Sequence, residues 1–293
     1  MRYVLENDTL RVEIDSFGAE LKSVKRKSDD KEYMWYADKK YWGRTSPVLF
    51  PFVGNCRNKE YRYGGKTYAI GQHGFARDME HTMESRTEDT IWFSLHSNEE
   101  TMEKYPFAFV LKIGYNLTGN ELKVMWKVEN PDTKTLYFSI GAHPAFLCPF
   151  NGEENKLGYG LQFAGLKEVH HHGNTPDTGL AVMSEDIVIP LEDEKVYFTP
   201  GFFDRCTYMV EGKQTGEVSL VTPDGKPYVT MDFDAPLFAI WSPEGKDAPF
   251  VCIEPWYGRC DADDFEGTLE GRAYENAVEP EQAFEASYSI RYL

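Results

Sequence analysis

A hydropathy period of two dominates this chain. Leu10-Arg11-Val12-Glu13-Ile14-Asp15 alternates apolar with polar, and the same alternation recurs around Phe109 to Tyr115, Leu122 to Val128, Tyr228 to Phe233 and Ser287 to Tyr292. Successive side chains of a strand point to opposite faces, so the pattern predicts half-buried antiparallel strands. Thr118-Gly119-Asn120 links two such runs and Pro223-Asp224-Gly225-Lys226 is a second glycine turn, the signature of hairpins. Only Asn98 to Lys104, rich in glutamate, reads as a short helix. No repeat, low-complexity tract or linker interrupts the 293 residues. The expectation is an all-β fold, one large antiparallel β-sandwich with few short helices, over residues 1–293 as a single domain.

Charge and cysteine content narrow the function. With 31 basic against 48 acidic residues the net charge is -17, which repels nucleic acid and anionic membrane surfaces. Five cysteines, with no CxxC pair, argue for reduced thiols rather than a disulfide framework. The acidic N-terminus lacks a signal-peptide core, and no apolar run is long enough to span a bilayer. These features predict a soluble cytoplasmic protein; homodimer formation stays open.

Three distant segments carry ionisable residues: Gly71-Gln72-His73-Gly74-Phe75-Ala76-Arg77, Gly141-Ala142-His143-Pro144-Ala145-Phe146 and Cys252-Ile253-Glu254-Pro255-Trp256. His143 and Glu254 each precede a proline, which forces extended backbone and a side chain projecting from a strand end. A carboxylate inside the apolar run Val251 to Trp256 is costly unless paired or functional, so Glu254 reads as functional on sequence grounds alone. A histidine in such company can titrate near neutrality, although a buried hydrogen-bonded histidine is the commoner case. Arg57 and Arg77 could equally form ion pairs with Glu60 or Asp78. Trp241, Trp256, Phe75 and Phe146 could stack on a ligand or fill the core. His170-His171-His172, beside Gly173-Asn174-Thr175-Pro176-Asp177, reads as an exposed loop without a spaced metal partner, so no metal or cofactor is expected. Cys252 lies two residues from Glu254, but nothing in the sequence gives it a histidine partner.

These motifs in this order, with Pro47-Val48-Leu49-Phe50-Pro51, Gly54, Arg57 and Ile240-Trp241-Ser242, resemble the aldose 1-epimerases, the galactose mutarotase-like family, and most closely its LacX-like branch. The resemblance runs end to end. It implies a twisted antiparallel supersandwich that binds a small-molecule sugar in an open cleft and exchanges α and β anomers without metal or cofactor. It implies Glu254 as base, His143 as acid and His73 as a hydrogen-bond donor to the sugar. Arg57, Arg77, Gln72 and, from Gly201-Phe202-Phe203-Asp204-Arg205, Asp204 would contact substrate. Phe75-Ala76-Arg77 and Pro144-Ala145-Phe146 depart from the galactose branch, so galactose specificity does not carry over. The Phe-Ala-Arg form is similar to the hexose-6-phosphate epimerases. A glycosidase using Asp261, Asp263 or Asp264 as second carboxylate, and a non-catalytic sugar-binding module, are the other readings.

Overall fold

In the computed structural model, which describes residues 1–293, the alternating runs become strands. Leu10–Asp15 buries Leu10, Val12 and Ile14 and leaves the residues between them partly exposed. Val110–Thr118 and Glu121–Glu129 form the expected hairpin, paired from Val110 opposite Glu129 to Thr118 opposite Glu121. Gly119 closes it at φ 58°, a conformation that a Cβ would strain. Pro223-Asp224-Gly225-Lys226 likewise joins Glu217–Val221 to Pro227–Phe233. The one α-helix, α1 (Glu99–Lys104), is held by a capping box in which Asn98 and Thr101 bond each other's backbone N–H.

Two large antiparallel sheets dominate. The nine-stranded sheet runs Lys195–Tyr197, Gly160–Phe163, Glu217–Val221, Pro227–Phe233, Ala283–Tyr292, Glu121–Glu129, Val110–Thr118, Thr90–His96, Thr82–Arg86. An eight-stranded sheet faces it, and side chains from both, such as Leu111 and Ile113 from one and Val251 and Ile253 from the other, share one hydrophobic core. Five strands of the second sheet frame the site: β1 (Val48–Leu49), β2 (Ile140–Ala142), β3 (Ala145–Leu147), β4 (Leu237–Trp241) and β5 (Phe250–Tyr257).

β5 lacks the alternation seen elsewhere because both of its faces are covered. Val251 and Ile253 enter the main core. On the opposite face Phe250 and Cys252 pack with Trp35, Ala145 and Ala248, while Trp256 packs with Leu49, Val53 and Leu237. Glu254 lies between these two small apolar clusters.

The histidine triplet is a correction to the sequence reading. Residues 170–172 belong to the strand Glu168–Asn174, paired with Ala181–Pro190. His171 is buried edge-on against the Tyr208 ring, while His170 faces outward between Asp186 at 2.8 Å and Glu168 at 3.4 Å. A polar strand at the sheet margin carries little apolar signal, so its composition reads as loop. No helix is long and apolar enough to cross a membrane.

Candidate active site

The two pre-proline residues meet through sheet register. β2 and β3 both pair with β5 in one unbroken register, Gly141 opposite Trp256 and Ala145 opposite Cys252. Carried through the gap between them, that register sets His143 across from Glu254. The ladder lapses there, at Pro144 and Pro255, neither of which has an N–H to donate. On its other side β5 pairs Glu254 with Ala239 of β4. The His143 Nε2 to Glu254 Oε1 distance is 3.4 Å.

His73 arrives from a separate loop and is fixed by the backbone. Its N–H donates to the Gly54 carbonyl at 2.8 Å, and its Nδ1 accepts from the Gly54 N–H at 3.0 Å. Nδ1 is therefore unprotonated, and the ring proton sits on Nε2 as a donor. Gly54 has φ 70°, and a Cβ there would lie 2.4 Å from the Cβ of Cys260; Gly74 has φ 67°, and a Cβ would meet the Phe50 carbonyl oxygen at 2.4 Å. Both glycines are required by close backbone approach. The His73 and His143 rings stand edge to face, centroids 5.7 Å apart.

These groups line a cleft of about 420 Å³ with Trp42, Asn55, Gln72, Arg77, Asn174, Thr178, Trp241, Glu244 and Trp256. Trp42 stacks on His143 at 4.6 Å and 26°, and Trp241 meets the same imidazole edge-on at 5.2 Å. His143 Nδ1 has no hydrogen-bond partner, and neither has either oxygen of Glu254. Glu254 is 1% exposed. Burial pushes its carboxyl well above the usual carboxylate range. Burial, then the charge of Arg77, lowers His143 to about 3. Burial likewise pushes His73 well below its ordinary value. Burial thus favours the uncharged forms of the Glu254 carboxyl and of both imidazoles. Cys252 also lies within 4.8 Å of the His143 and Glu254 donor atoms.

The sequence matches the aldose 1-epimerase family over residues 1–261. The chain belongs to that family. It is 31% identical to the chromosomal protein LacX of Lactococcus lactis subsp. lactis, each chain covered in full. Among solved structures it is similar to a galactose mutarotase related enzyme from Lactobacillus acidophilus, with TM-score 0.94 and 37% identity over 100% of this chain and 97% of that one. A galactose mutarotase-like protein from Lactobacillus casei matches at TM-score 0.91 and 29% identity, each chain covered in full.

Not every residue that the aldose 1-epimerase resemblance brings to substrate reaches the cleft. Gln72 and Arg77 do; Arg77 donates to the Gln72 carbonyl at 2.8 Å and lies 3.7 Å from Asp78, and burial lowers it to about 10. Arg57 instead turns into adjoining cavities, donating to the Phe265 carbonyl and pairing with Glu266 at 3.3 Å. Asp204 caps the Gly245 N–H at 3.1 Å in a separate hollow beside Lys156 and Phe203. Asp261 is bound to Arg272 at 2.7 Å and does not line the cleft. Of the four aromatics, Trp241 and Trp256 line the cleft, Phe146 is core and Phe75 packs against the core. Sequence reasoning missed Trp42, a loop residue with no periodic pattern around it. It also missed the proximity of Cys252 to His143, although residues 252 and 254 necessarily share a face of β5.

Proposed function

We propose that this protein is a cytoplasmic aldose 1-epimerase, a single domain over 1–293, that interconverts the α and β anomers of a hexose. The observation that carries this reading is the buried Glu254–His143 pair beside the donor His73 in the wall of one open, polar cleft. Anomer exchange needs a base for the C1 hydroxyl and an acid for the ring oxygen, since the ring must open to an aldehyde before rotating and reclosing.

Glu254 takes the C1 proton while His143 gives one to the ring oxygen, and the C1–O bond breaks. The pair then stands as carboxylic acid and neutral imidazole, the forms that burial favours in the empty cleft. Reclosure reverses both transfers: His143 recovers its proton from the oxygen and Glu254 returns one to the carbonyl. Before the first turnover, moving a proton from Glu254 to His143 gives the carboxylate and imidazolium that the cycle starts from with no change in net charge, and a sugar hydroxyl donating to Glu254 favours that shift. His73, a neutral donor locked by Gly54, supports charge on a sugar oxygen as the ring opens. Gln72 and Arg77 orient hydroxyls.

A phosphorylated hexose is the second reading. Arg77 lines the cleft, and its ion pair with Asp78 is long at 3.7 Å because Asp78 pairs more closely with Arg44 at 2.9 Å, so the Arg77 guanidinium is open to a phosphate.

The test is anomer exchange followed by polarimetry or NMR saturation transfer with glucose, galactose and glucose 6-phosphate, for wild type and Glu254→Gln. The variant is expected to lose roughly 10²–10⁴-fold in rate while keeping its fold. Wild type that accelerates none of these sugars would overturn the reading.

A further inference from the structure

We infer that His143, Cys252 and Glu254 form a binding site for a thiophilic divalent cation such as zinc, and that occupancy of this site shuts off the epimerase cleft. The inhibitory part rests on the function proposed above; the binding part does not.

The donor set carries the argument. One ligand atom from each residue lies within 4.8 Å of the others, and all three residues are buried. Imidazole nitrogen, thiolate sulfur and carboxylate oxygen are the three donor types that zinc accepts, the Cys252 thiol and Glu254 carboxyl releasing their protons to solvent as the ion binds, and three protein ligands with one open position is the arrangement of accessible zinc sites. Tetrahedral bonds of 2.0–2.3 Å set neighbouring ligand atoms roughly 3.4 Å apart. The His143 Nε2 and Glu254 Oε1 atoms are already at 3.4 Å. The Cys252 sulfur, within 4.8 Å of both, has to move closer for all three to bind one ion. Residues 252 and 254 project from one face of β5, with Ala145 opposite Cys252, so the sheet itself presents the triad.

A second observation points to a missing ligand. Neither oxygen of Glu254 has a hydrogen-bond partner although the residue is 1% exposed. An unpartnered buried carboxyl is costly, and a cation would satisfy it. Around the donors stand Trp35, Trp42, Phe250 and Trp241, an apolar shell that weakens competition from water. The open side faces the cleft, where Glu254 and His143 are both wall residues, so the fourth position is reached by water. The lone pairs that would bind metal are the ones that carry protons in ring opening, so metal and catalysis are mutually exclusive.

Cobalt(II) is the probe. Titrated into the purified, reduced full-length protein, it is expected to give tetrahedral d–d absorption and a thiolate-to-metal charge-transfer band at one equivalent. Cys252→Ser should lose the charge-transfer band and should need at least about tenfold more zinc for half-inhibition, each variant compared with its own metal-free rate. Glu254→Gln, with the thiol intact, serves as the second variant and should weaken cobalt binding by a similar factor. No thiolate band in wild type, an unchanged band in Cys252→Ser, or equal zinc inhibition of Cys252→Ser would each overturn the inference. Because the band is read without substrate, a wild type that turns over no sugar leaves the metal result standing.

Discussion

His81 illustrates how a single buried side chain sets acid stability. Its Nδ1 faces the Met79 carbonyl at 3.1 Å, its Nε2 has no partner, and burial lowers it to about 4. The unfolded chain binds this proton near the ordinary value of 6.5, so below that pH protons favour unfolding. Its contribution is complete above pH 6.5 and is lost as pH falls toward 4, roughly 3 kcal/mol in all. Urea unfolding at pH 7 and 4.5 should show a smaller acid loss in His81→Asn than in wild type; equal losses would rule out this residue as the cause. Trp42 acts differently. With His143 Nδ1 unpartnered, the indole stacked on its face, together with the edge-on contact of Trp241, positions the imidazole. Trp42→Ala should therefore lower kcat roughly 10- to 100-fold through misplacement of His143, and Trp42→Phe should restore most of it. Neither role was legible in the sequence, because burial and stacking are decided by partners distant in the chain.

Strands and turns hold the site in place. The pre-proline positions made His143 and Glu254 readable as extended residues, since that restriction is local and steric. Their pairing was not readable, because it depends on β2 and β3 both lying against β5. The Gly54 turn shows the same division. A glycine there is visible in sequence, but its reason is the approach of Cys260 and the bonds with His73. Gly54→Ala should destabilise the fold by about 1–3 kcal/mol and lower kcat, since the displaced amide no longer fixes the His73 tautomer. Thermal unfolding read beside steady-state rates checks both effects; a variant with wild-type stability and kcat would show that the turn can relax.

Across the whole molecule a buried ionic cluster ties the segments behind the cleft together. Arg272, 5% exposed, bonds Asp261 at 2.7 Å, Glu275 at 3.0 Å, Ser139 at 3.2 Å and the Arg259 carbonyl at 2.8 Å, and its guanidinium lies 4.8 Å from the Phe52 ring centroid. Asp261 also accepts from the Arg57 N–H at 2.9 Å, which ties that stretch to the cluster. Burial raises Glu275 to about 7. Removing the guanidinium leaves two buried carboxyls without their cation, so Arg272→Met should cost about 3–5 kcal/mol, read as a lower denaturant midpoint. A midpoint equal to wild type would mean that the cluster contributes no net stability.

The sequence by itself determined the strand class, the hairpins, the short helix and the presence of a carboxyl in an apolar run, because period, turn chemistry and desolvation cost act on neighbours in the chain. Family membership was legible for the same reason, carried by short motifs. Only the tertiary structure decided which polar groups share a cleft. It brought His73, His143, Glu254, Gln72 and Arg77 together, left Arg57 and Asp204 in adjoining hollows, and turned the histidine triplet into a strand. The physical reason is that sheet register and strand order join residues far apart in sequence, and no local preference encodes that choice.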